Sequence, residues 1–178
     1  MTVSNVSLKK PDLILEHYFL GKTFASGIFE DRFGNVRRQF TVDIDGTWDG
    51  KTLTLTEDFI FGDGETETRV WSIEKIAPAS YVGTADDVIG SAKGIISGNT
   101  LNWKYDMRLK VGGSRVKVHF DDWMFLQPNG VLINKATVSK LGLDIGRVTI
   151  AFTKKADADF LSTIPSTNKE PLVATLAR

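Results

Sequence analysis

From residue 22 to residue 154, apolar and polar side chains alternate over short segments that turn-forming residues separate. A period of two is typical of β-strands that bury one face. The connections are too short for crossover helices, so neighbouring strands should pair antiparallel. The pattern predicts an all-β fold, an antiparallel up-and-down β-barrel of about ten strands. The predicted strands are 22–32, 35–45, 51–61, 66–77, 79–86, 88–97, 100–111, 114–127, 130–140 and 143–154.

The hairpin formed by 100–111 and 114–127 gives a test of register on the sequence alone. With a two-residue turn at residues 112 and 113, Tyr105 lies opposite Phe120 and Asp106 lies opposite His119. The same register places the apolar side chains of both strands on one face. That agreement supports the strand assignment and predicts an inward face.

The preceding hairpin is predicted to place small residues beside large ones. With a turn at Gly98 and Asn99, Gly94 lies across from Trp103, and Val88 lies across from Leu109. Such alternation is expected of an interior wall that must leave space for aromatic rings or for a ligand.

Three regions are predicted along the chain. Residues 1–21 form a leader and a short helix, which Asp12 would cap and Gly21 would end, and which packs on the domain as a lid or plug. Residues 22–154 form the barrel domain. Residues 155–178 form a polar C-terminal extension outside the barrel, since they are rich in polar residues and contain two prolines.

Composition limits the partners and the compartment. The 22 basic and 22 acidic residues cancel, which gives no general attraction to nucleic acid. The N-terminal segment has no long apolar run, so neither a signal peptide nor a transmembrane helix is predicted, and a cytoplasmic location is expected. The chain has no cysteine and two histidines, so a metal site is not predicted. No cofactor is expected.

Charged or amide side chains interrupt the faces that should point inward. Buried charge costs free energy unless it is paired, so these residues form either a structural network or the lining of a ligand site. The structural alternative predicts two ion pairs, Glu57–Arg69 and Asp31–Arg38. Lys140 has a third option, because its side chain can emerge at the rim. The full set is Asp31, Arg38, Glu57, Arg69, Asp122, Asn134 and Lys140.

The ligand alternative predicts a small apolar or amphipathic molecule inside the barrel, such as a fatty-acyl or isoprenoid-like lipid. An interior arginine would hold its carboxylate or phosphate, because the planar guanidinium binds such anions through two hydrogen bonds. Aromatic side chains would contact its apolar part. The predicted ligand-binding residues are Arg38, Glu57, Arg69, Trp71, Trp103, Tyr105, Asp122 and Asn134.

Two other functions stay open on the sequence, although it favours binding over catalysis. The first is an enzyme, an isomerase or hydrolase, in which burial raises the pKa of Glu57 or Asp122 for general acid catalysis. The second is a non-catalytic interaction module whose barrel is filled by its own side chains. His119 lies opposite Asp106 on the polar face, which indicates a solvated pair rather than a catalytic base.

The outward face of the 100–127 hairpin is basic. A solvated surface is the simpler interpretation, and peripheral contact with an anionic membrane is the alternative. Nucleic-acid binding is not predicted, because exposed aromatic residues do not interleave with these cations. The cations are Lys104, Arg108, Lys110, Arg115 and Lys117.

Six segments occur in order along the chain: residues 29–34 (FEDRFG), 55–59 (LTEDF), 63–65 (DGE), 69–71 (RVW), 85–94 (ADDVIGSAKG) and 121–124 (DDWM). Together they resemble a bacterial domain-of-unknown-function family whose members are often described as lipoproteins. The resemblance covers roughly residues 10–154 and implies a calycin-like or lipocalin-like β-barrel without an established activity. Unlike the lipoprotein members, the sequence has no cysteine and no predicted signal sequence, so an exported, lipid-anchored form is not expected.

Overall fold

The computed structural model describes residues 11–111 and 113–154. The predicted leader, residues 1–9, and the predicted C-terminal extension, residues 155–178, lie outside the described residues. The elements are α1 (Leu15–Phe19), β1 (Gly21–Asp31), β2 (Val36–Trp48), β3 (Thr52–Phe61), β4 (Thr66–Ala77), β5 (Ser80–Thr84), β6 (Val88–Ser97), β7 (Thr100–Val111), β8 (Ser114–Leu126), β9 (Leu132–Lys140) and β10 (Leu143–Lys154).

The ten strands form a closed barrel. Each strand pairs antiparallel with its neighbour in the chain, and β1 also pairs with β10. Closure satisfies the backbone groups that an edge strand would expose. The predicted all-β, up-and-down barrel with a short N-terminal helix is confirmed.

Of the two hairpin registers predicted from the sequence, one is confirmed and the other is wrong at one of the two pairs. In the β7–β8 hairpin, Tyr105 pairs with Phe120 and Asp106 pairs with His119, as predicted. In the β6–β7 hairpin, Gly94 lies opposite Trp103, but Val88 lies opposite Met107. The prediction of Leu109 as the partner of Val88 is wrong, because the register shifts between Ile89 and Lys93.

The helix α1 packs at one end of the barrel, which we call the helix end. It is shorter than predicted, and its N-cap position is the apolar residue Ile14, so the predicted cap by Asp12 is wrong. The backbone N–H of Leu13 donates to the carbonyl of Gly98, in the β6–β7 turn. Gly46 lies directly beneath the Phe19 carbonyl oxygen, which a Cβ atom at residue 46 would meet. The helix therefore needs a glycine in β2 to approach this closely.

The core has two parts. A large cluster at the helix end includes Leu15 and Phe19 of α1 together with Leu53 and Leu101 of the barrel wall. A smaller cluster lies between β7, β8 and β9 nearer the opposite end, and it contains Met107, Val118, Phe120, Ala136 and Val138. In the part of the chain that the structure describes, no helix has the length and apolar character needed to cross a membrane.

Candidate functional site

Polar side chains from five strands and one turn meet inside the barrel. The parity of the strands turns them inward, since each alternates with buried apolar residues on the same face. Asp87, in the turn between β5 and β6, joins the five residues that the sequence predicted. We call this group the inner cluster, which consists of Glu57, Arg69, Asp87, Tyr105, Asp122 and Asn134.

Arg69 is the cation of the inner cluster, and it has two acidic partners. Its Nε donates to both carboxylate oxygens of Asp87, at 2.9 and 3.2 Å, and its Nη2 lies 2.8 Å from Asp87 Oδ2. The carboxylate of Glu57 lies 3.9 Å from Nη1. The predicted Glu57–Arg69 pair is therefore present, but Asp87 makes the closer contact.

Asp122 and Asn134 lie deeper, and their hydrogen bonding is incomplete. They are 5% and 3% exposed. Asn134 Nδ2 donates to Asp122 Oδ2 over 3.4 Å, a long contact. Among residues 11–111 and 113–154, no group lies in hydrogen-bond geometry to Asp122 Oδ1 or Asn134 Oδ1, although the nearby Tyr105 hydroxyl acts to lower the pKa of the Asp122 carboxyl group. We call these two atoms the unsatisfied oxygens. A buried acceptor without a donor costs free energy, so this pair needs an explanation.

The electrostatics of the cluster reflect this shortage of donors. Burial raises the pKa of Asp122 to about 7, against the smaller opposing effect of Asn134. Burial likewise raises the pKa of Glu57 to about 7, although Arg69 opposes it. Burial also raises the pKa of the Tyr105 hydroxyl well above its ordinary value. Both carboxyl groups therefore titrate near neutral pH, where a proton can be gained or lost in the site.

Water reaches part of the inner cluster, and aromatic rings form its walls. The side chains of Glu57, Arg69 and Asp87 are 14%, 17% and 28% exposed, although all three belong to the cluster inside the barrel. Tyr105 stacks on Phe120, with ring centroids 5.0 Å apart.

Trp71 and Trp103 continue the aromatic wall but differ in surroundings. Trp71 lies edge-on to Tyr105 at 5.4 Å and interacts with the carboxyl group of Glu57. Trp103 fills the space above Gly83 and Gly94, where added Cβ atoms would meet its ring. This contact gives Trp103 a structural role in the core and explains the small residues beside it.

The remaining inward predictions fall at the end of the barrel opposite the helix. Arg38 lies over the Phe61 ring at 3.7 Å and forms ion pairs with Asp63, at 3.2 Å, and with Glu65. Asp31 accepts hydrogen bonds from Asn35 and from Arg37 in its own hairpin. The predicted Asp31–Arg38 pair is therefore wrong.

The physical reason is a register shift at the end of β1. Phe29 lies opposite Arg38, but Glu30 lies opposite Val36, so the bulge places Arg37 beside Asp31. Lys140 is exposed at the same end, where β9 finishes, so its prediction as an interior residue is wrong and its emergence at the rim is what the structure shows.

Sequence reasoning missed two groups. Asp87 lies in a turn, where strand parity carries no information, and the need of Arg69 for a second partner was the available signal. Glu16 is a buried residue of α1 whose carboxylate accepts from Lys75 Nζ at 2.5 Å and from the Tyr81 hydroxyl at 2.7 Å. It lies between Leu15 and His17 in a short helix, and the sequence indicated only that α1 packs on the barrel.

Comparison with known proteins places the chain within a family. The chain belongs to the DUF3833 family. The family is described as a protein of unknown function, and its model matches residues 1–154. The curated proteins contain no match. Among solved structures, the S-type phycobiliprotein lyase CPES from Guillardia theta is similar, with a TM-score of 0.54 over 77% of this chain and 87% of that chain. At 6% identity, this likeness supports the barrel fold alone.

On the outer wall of this DUF3833 barrel, several basic side chains of β7 and β8 form ion pairs with acidic side chains. The predicted pair of His119 and Asp106 is present, with 2.7 Å between Nδ1 and Oδ1. Lys117 also pairs with Asp106, at 2.9 Å, and Lys104 lies 3.4 Å from Asp121. These acidic partners reduce the positive charge of the surface predicted to contact anionic membranes.

Two concave surfaces also lie on the outer wall. One, of about 310 Å³, is lined by charged and threonine side chains of β1, β2 and β3. The other, of about 620 Å³, extends over β1, β2, β3 and β10 and includes Gln39, Ile60 and Thr149. Neither surface includes a residue of the inner cluster, so the inner cluster is a separate candidate site.

Proposed function

We propose that the barrel binds a small amphipathic ligand at the inner cluster. The observation that carries this proposal is the pair of unsatisfied oxygens on Asp122 and Asn134, two side chains with at most 5% exposure. A ligand that donates hydrogen bonds to them would remove their desolvation cost. The rings of Trp71, Tyr105 and Phe120 supply an apolar wall beside them.

This arrangement matches the general character of small-molecule sites, in which apolar walls surround a few polar groups. The partial exposure of Glu57 and Arg69 supports a path by which a ligand reaches the cluster. The similar structure is named as a phycobiliprotein lyase, and a function that involves a small ligand is consistent with that name. A calycin-like relationship, in which the barrel interior holds the ligand, is part of this proposal. Trp103 and Arg38 support the site from the core and from the rim.

Tryptophan fluorescence tests the proposal, because Trp71 faces the inner cluster while Trp123 lies in β8 with the opposite parity to Asp122. The full chain is titrated with decanol, a neutral amphipathic probe. We expect a saturable change of emission in the wild type and in Trp123→Phe, and loss of most of that change in Trp71→Phe. The absence of any saturable change with neutral, cationic and anionic decyl probes would overturn the proposal and favour a filled barrel. Native mass spectrometry and organic extraction of the purified chain would then identify the natural ligand.

A second candidate function is acid–base catalysis on the same ligand. It is favoured by the pKa of about 7 of two carboxyl groups in one interior, since a general acid or base works best near the operating pH. Glu57 and Asp122 would transfer the proton, and Tyr105 would hold the substrate. The test is incubation of the extracted compound with the protein in deuterated water. An isomerase that moves a proton incorporates deuterium, and Glu57→Gln and Asp122→Asn should each lose that incorporation.

A further inference from the structure

The inner cluster contains more acidic than basic groups. Glu57, Asp87 and Asp122 provide three carboxyl groups, whereas Arg69 provides one guanidinium group. Arg69 already contacts two of those carboxyl groups, and its short contacts are all to Asp87. The cluster therefore has no surplus of positive charge among the residues that the structure describes, and a ligand anion there would meet carboxylates.

The polar atoms that lack partners are of one chemical kind. Asn134 Oδ1 is an amide oxygen and accepts hydrogen bonds, and Asp122 Oδ1 is a carboxyl oxygen that does the same when Asp122 is ionised. Two acceptors on side chains that contact each other can be satisfied by one group that carries at least two N–H or O–H bonds. An ammonium group has three such donors and also a positive charge.

The other predicted anchor for an anion is also neutralised. Arg38 at the rim forms ion pairs with Asp63 and Glu65 and covers the Phe61 ring. An acidic ligand would have to displace one of these carboxylates or those of Arg69. A ligand carboxylate or phosphate held by an interior arginine, as the sequence predicted, would therefore compete with acidic side chains that already pair with Arg38 and Arg69.

We propose that the ligand presents a cationic nitrogen, such as the ammonium group of an amphipathic amine, to Asp122 Oδ1 and Asn134 Oδ1. This inference rests on the proposed function and narrows it. The ammonium group donates to the two unsatisfied oxygens, and its charge offsets the carboxyl groups of Glu57 and Asp122. The hydrocarbon part lies along the rings of Trp71, Tyr105 and Phe120, where burial of apolar surface adds to the affinity.

Three probes that share one chain and differ in the polar end test the inference. Decylamine, decanol and decanoate are titrated into the full chain below their micellar concentrations, and binding is measured by calorimetry. We expect decylamine to bind at least about tenfold more tightly than decanol, and decanoate to bind most weakly. If decanoate bound as tightly as decylamine or more tightly, the inference would be overturned and the proposed function would stay intact. Failure of all three probes to bind would overturn both.

Neighbouring residues of β8 give a matched pair of variants. Asp122→Asn keeps the shape of the inward side chain and removes its charge, and we expect it to weaken decylamine binding at least about tenfold while changing decanol binding much less. Asp121→Asn makes the same chemical change on the outward face, where Asp121 contacts Lys104 and Asn102, and should leave both affinities unchanged. Equal effects of the two variants would contradict the inference.

A second pair repeats the test on β3, so that the inference does not depend on the folding of one variant. Glu57→Gln removes an inward charge, and Asp58→Asn removes an outward one. We expect selective loss of decylamine affinity in Glu57→Gln. An unchanged ratio of decylamine to decanol affinity in both inward variants would overturn the inference.

Discussion

Glu16 at the helix end and Asp122 in the inner cluster are equally buried, at 5% exposure each, yet their chemistry differs. Burial acts to raise the pKa of Glu16, but hydrogen bonds from Lys75 and Tyr81 outweigh it, so the pKa is lowered. Burial raises the pKa of Asp122 to about 7, because its partner Asn134 makes a long hydrogen bond and one oxygen lacks a donor.

The comparison shows that burial alone does not define a functional carboxyl group. Both oxygens of Glu16 accept short hydrogen bonds, which ties α1 to β4 and β5. Lys154 supports the same end by donating to the carbonyls of Tyr18 and Leu20 and to Thr23 Oγ1. A polar group whose partners are complete stabilises the fold, whereas one whose partners are incomplete keeps the capacity to bind another molecule.

The largest expected effect is a loss of stability on substitution of Glu16, the buried carboxyl group whose hydrogen bonds are complete. Glu16→Ala leaves Lys75 and Tyr81 without their buried acceptor, and loss of one partner of a buried ion pair costs about 3–5 kcal/mol. We expect the free energy of unfolding, measured by urea denaturation, to fall by this amount. The control is Glu74→Gln in β4, next to Lys75, which loses a surface ion pair with Lys51 and should change the free energy of unfolding by less than about 1 kcal/mol. A cost for Glu16→Ala no greater than the control would contradict the assignment of Glu16 as a structural anchor.

The second effect concerns the contact between α1 and β2. In Gly46→Ala, the added methyl group meets the Phe19 carbonyl oxygen, so the helix must move away from the wall. We expect the free energy of unfolding to fall by about 1–3 kcal/mol, as in other overpacked sites. Gly62→Ala is the matched control, since its Cβ would lie at an ordinary 3.6 Å from the nearest atom, the carbonyl oxygen of Gln39. Equal stability of both variants would show that α1 does not depend on this close approach.

The third effect is a gain of stability in the variant Asp122→Asn, and it depends on pH. The pKa of Asp122 is raised from 3.8 to about 7, so the folded chain keeps a proton that the unfolded chain loses. The stability that this proton contributes is present below about pH 4 and is lost as the pH rises through about 7. Asp122→Asn removes the ionisation, so we expect it to raise the free energy of unfolding by roughly 2 kcal/mol at about pH 9, with little gain at about pH 4.

Thermal unfolding at both pH values measures this difference. The groups that face Asp122 are Tyr105, Asn134 and Arg69, with Asp121 nearby on its own strand, and they are unchanged in the variant. Asp121→Asn is again the control, and we expect it to lack the pH-dependent gain. A stabilisation by Asp122→Asn that is the same at both pH values would contradict the raised pKa.

Strand parity predicted much of this structure, because alternation fixes which face each side chain takes. It placed Glu57, Arg69, Asp122 and Asn134 inside and paired Tyr105 with Phe120. It failed where the backbone departs from regular pairing, as at the bulge that separates Asp31 from Arg38.

Parity also could not predict the choice of ion partners, which depends on three-dimensional distance. Asp87 contacts Arg69 from a turn, and Glu65 and Asp63 contact Arg38 from another. These contacts are the reason for proposing a cationic ligand, whereas the sequence predicted an acid held by arginine.

The most direct test of the account is a carbon-13 NMR titration of the Asp122 and Glu57 carboxyl groups, in the free chain and with saturating decylamine. We expect a pKa of about 7 for both groups in the free chain and a clear fall in the pKa of Asp122 when the amine is bound. Ordinary carboxyl pKa values in the free chain, or no change on addition of the amine, would contradict it.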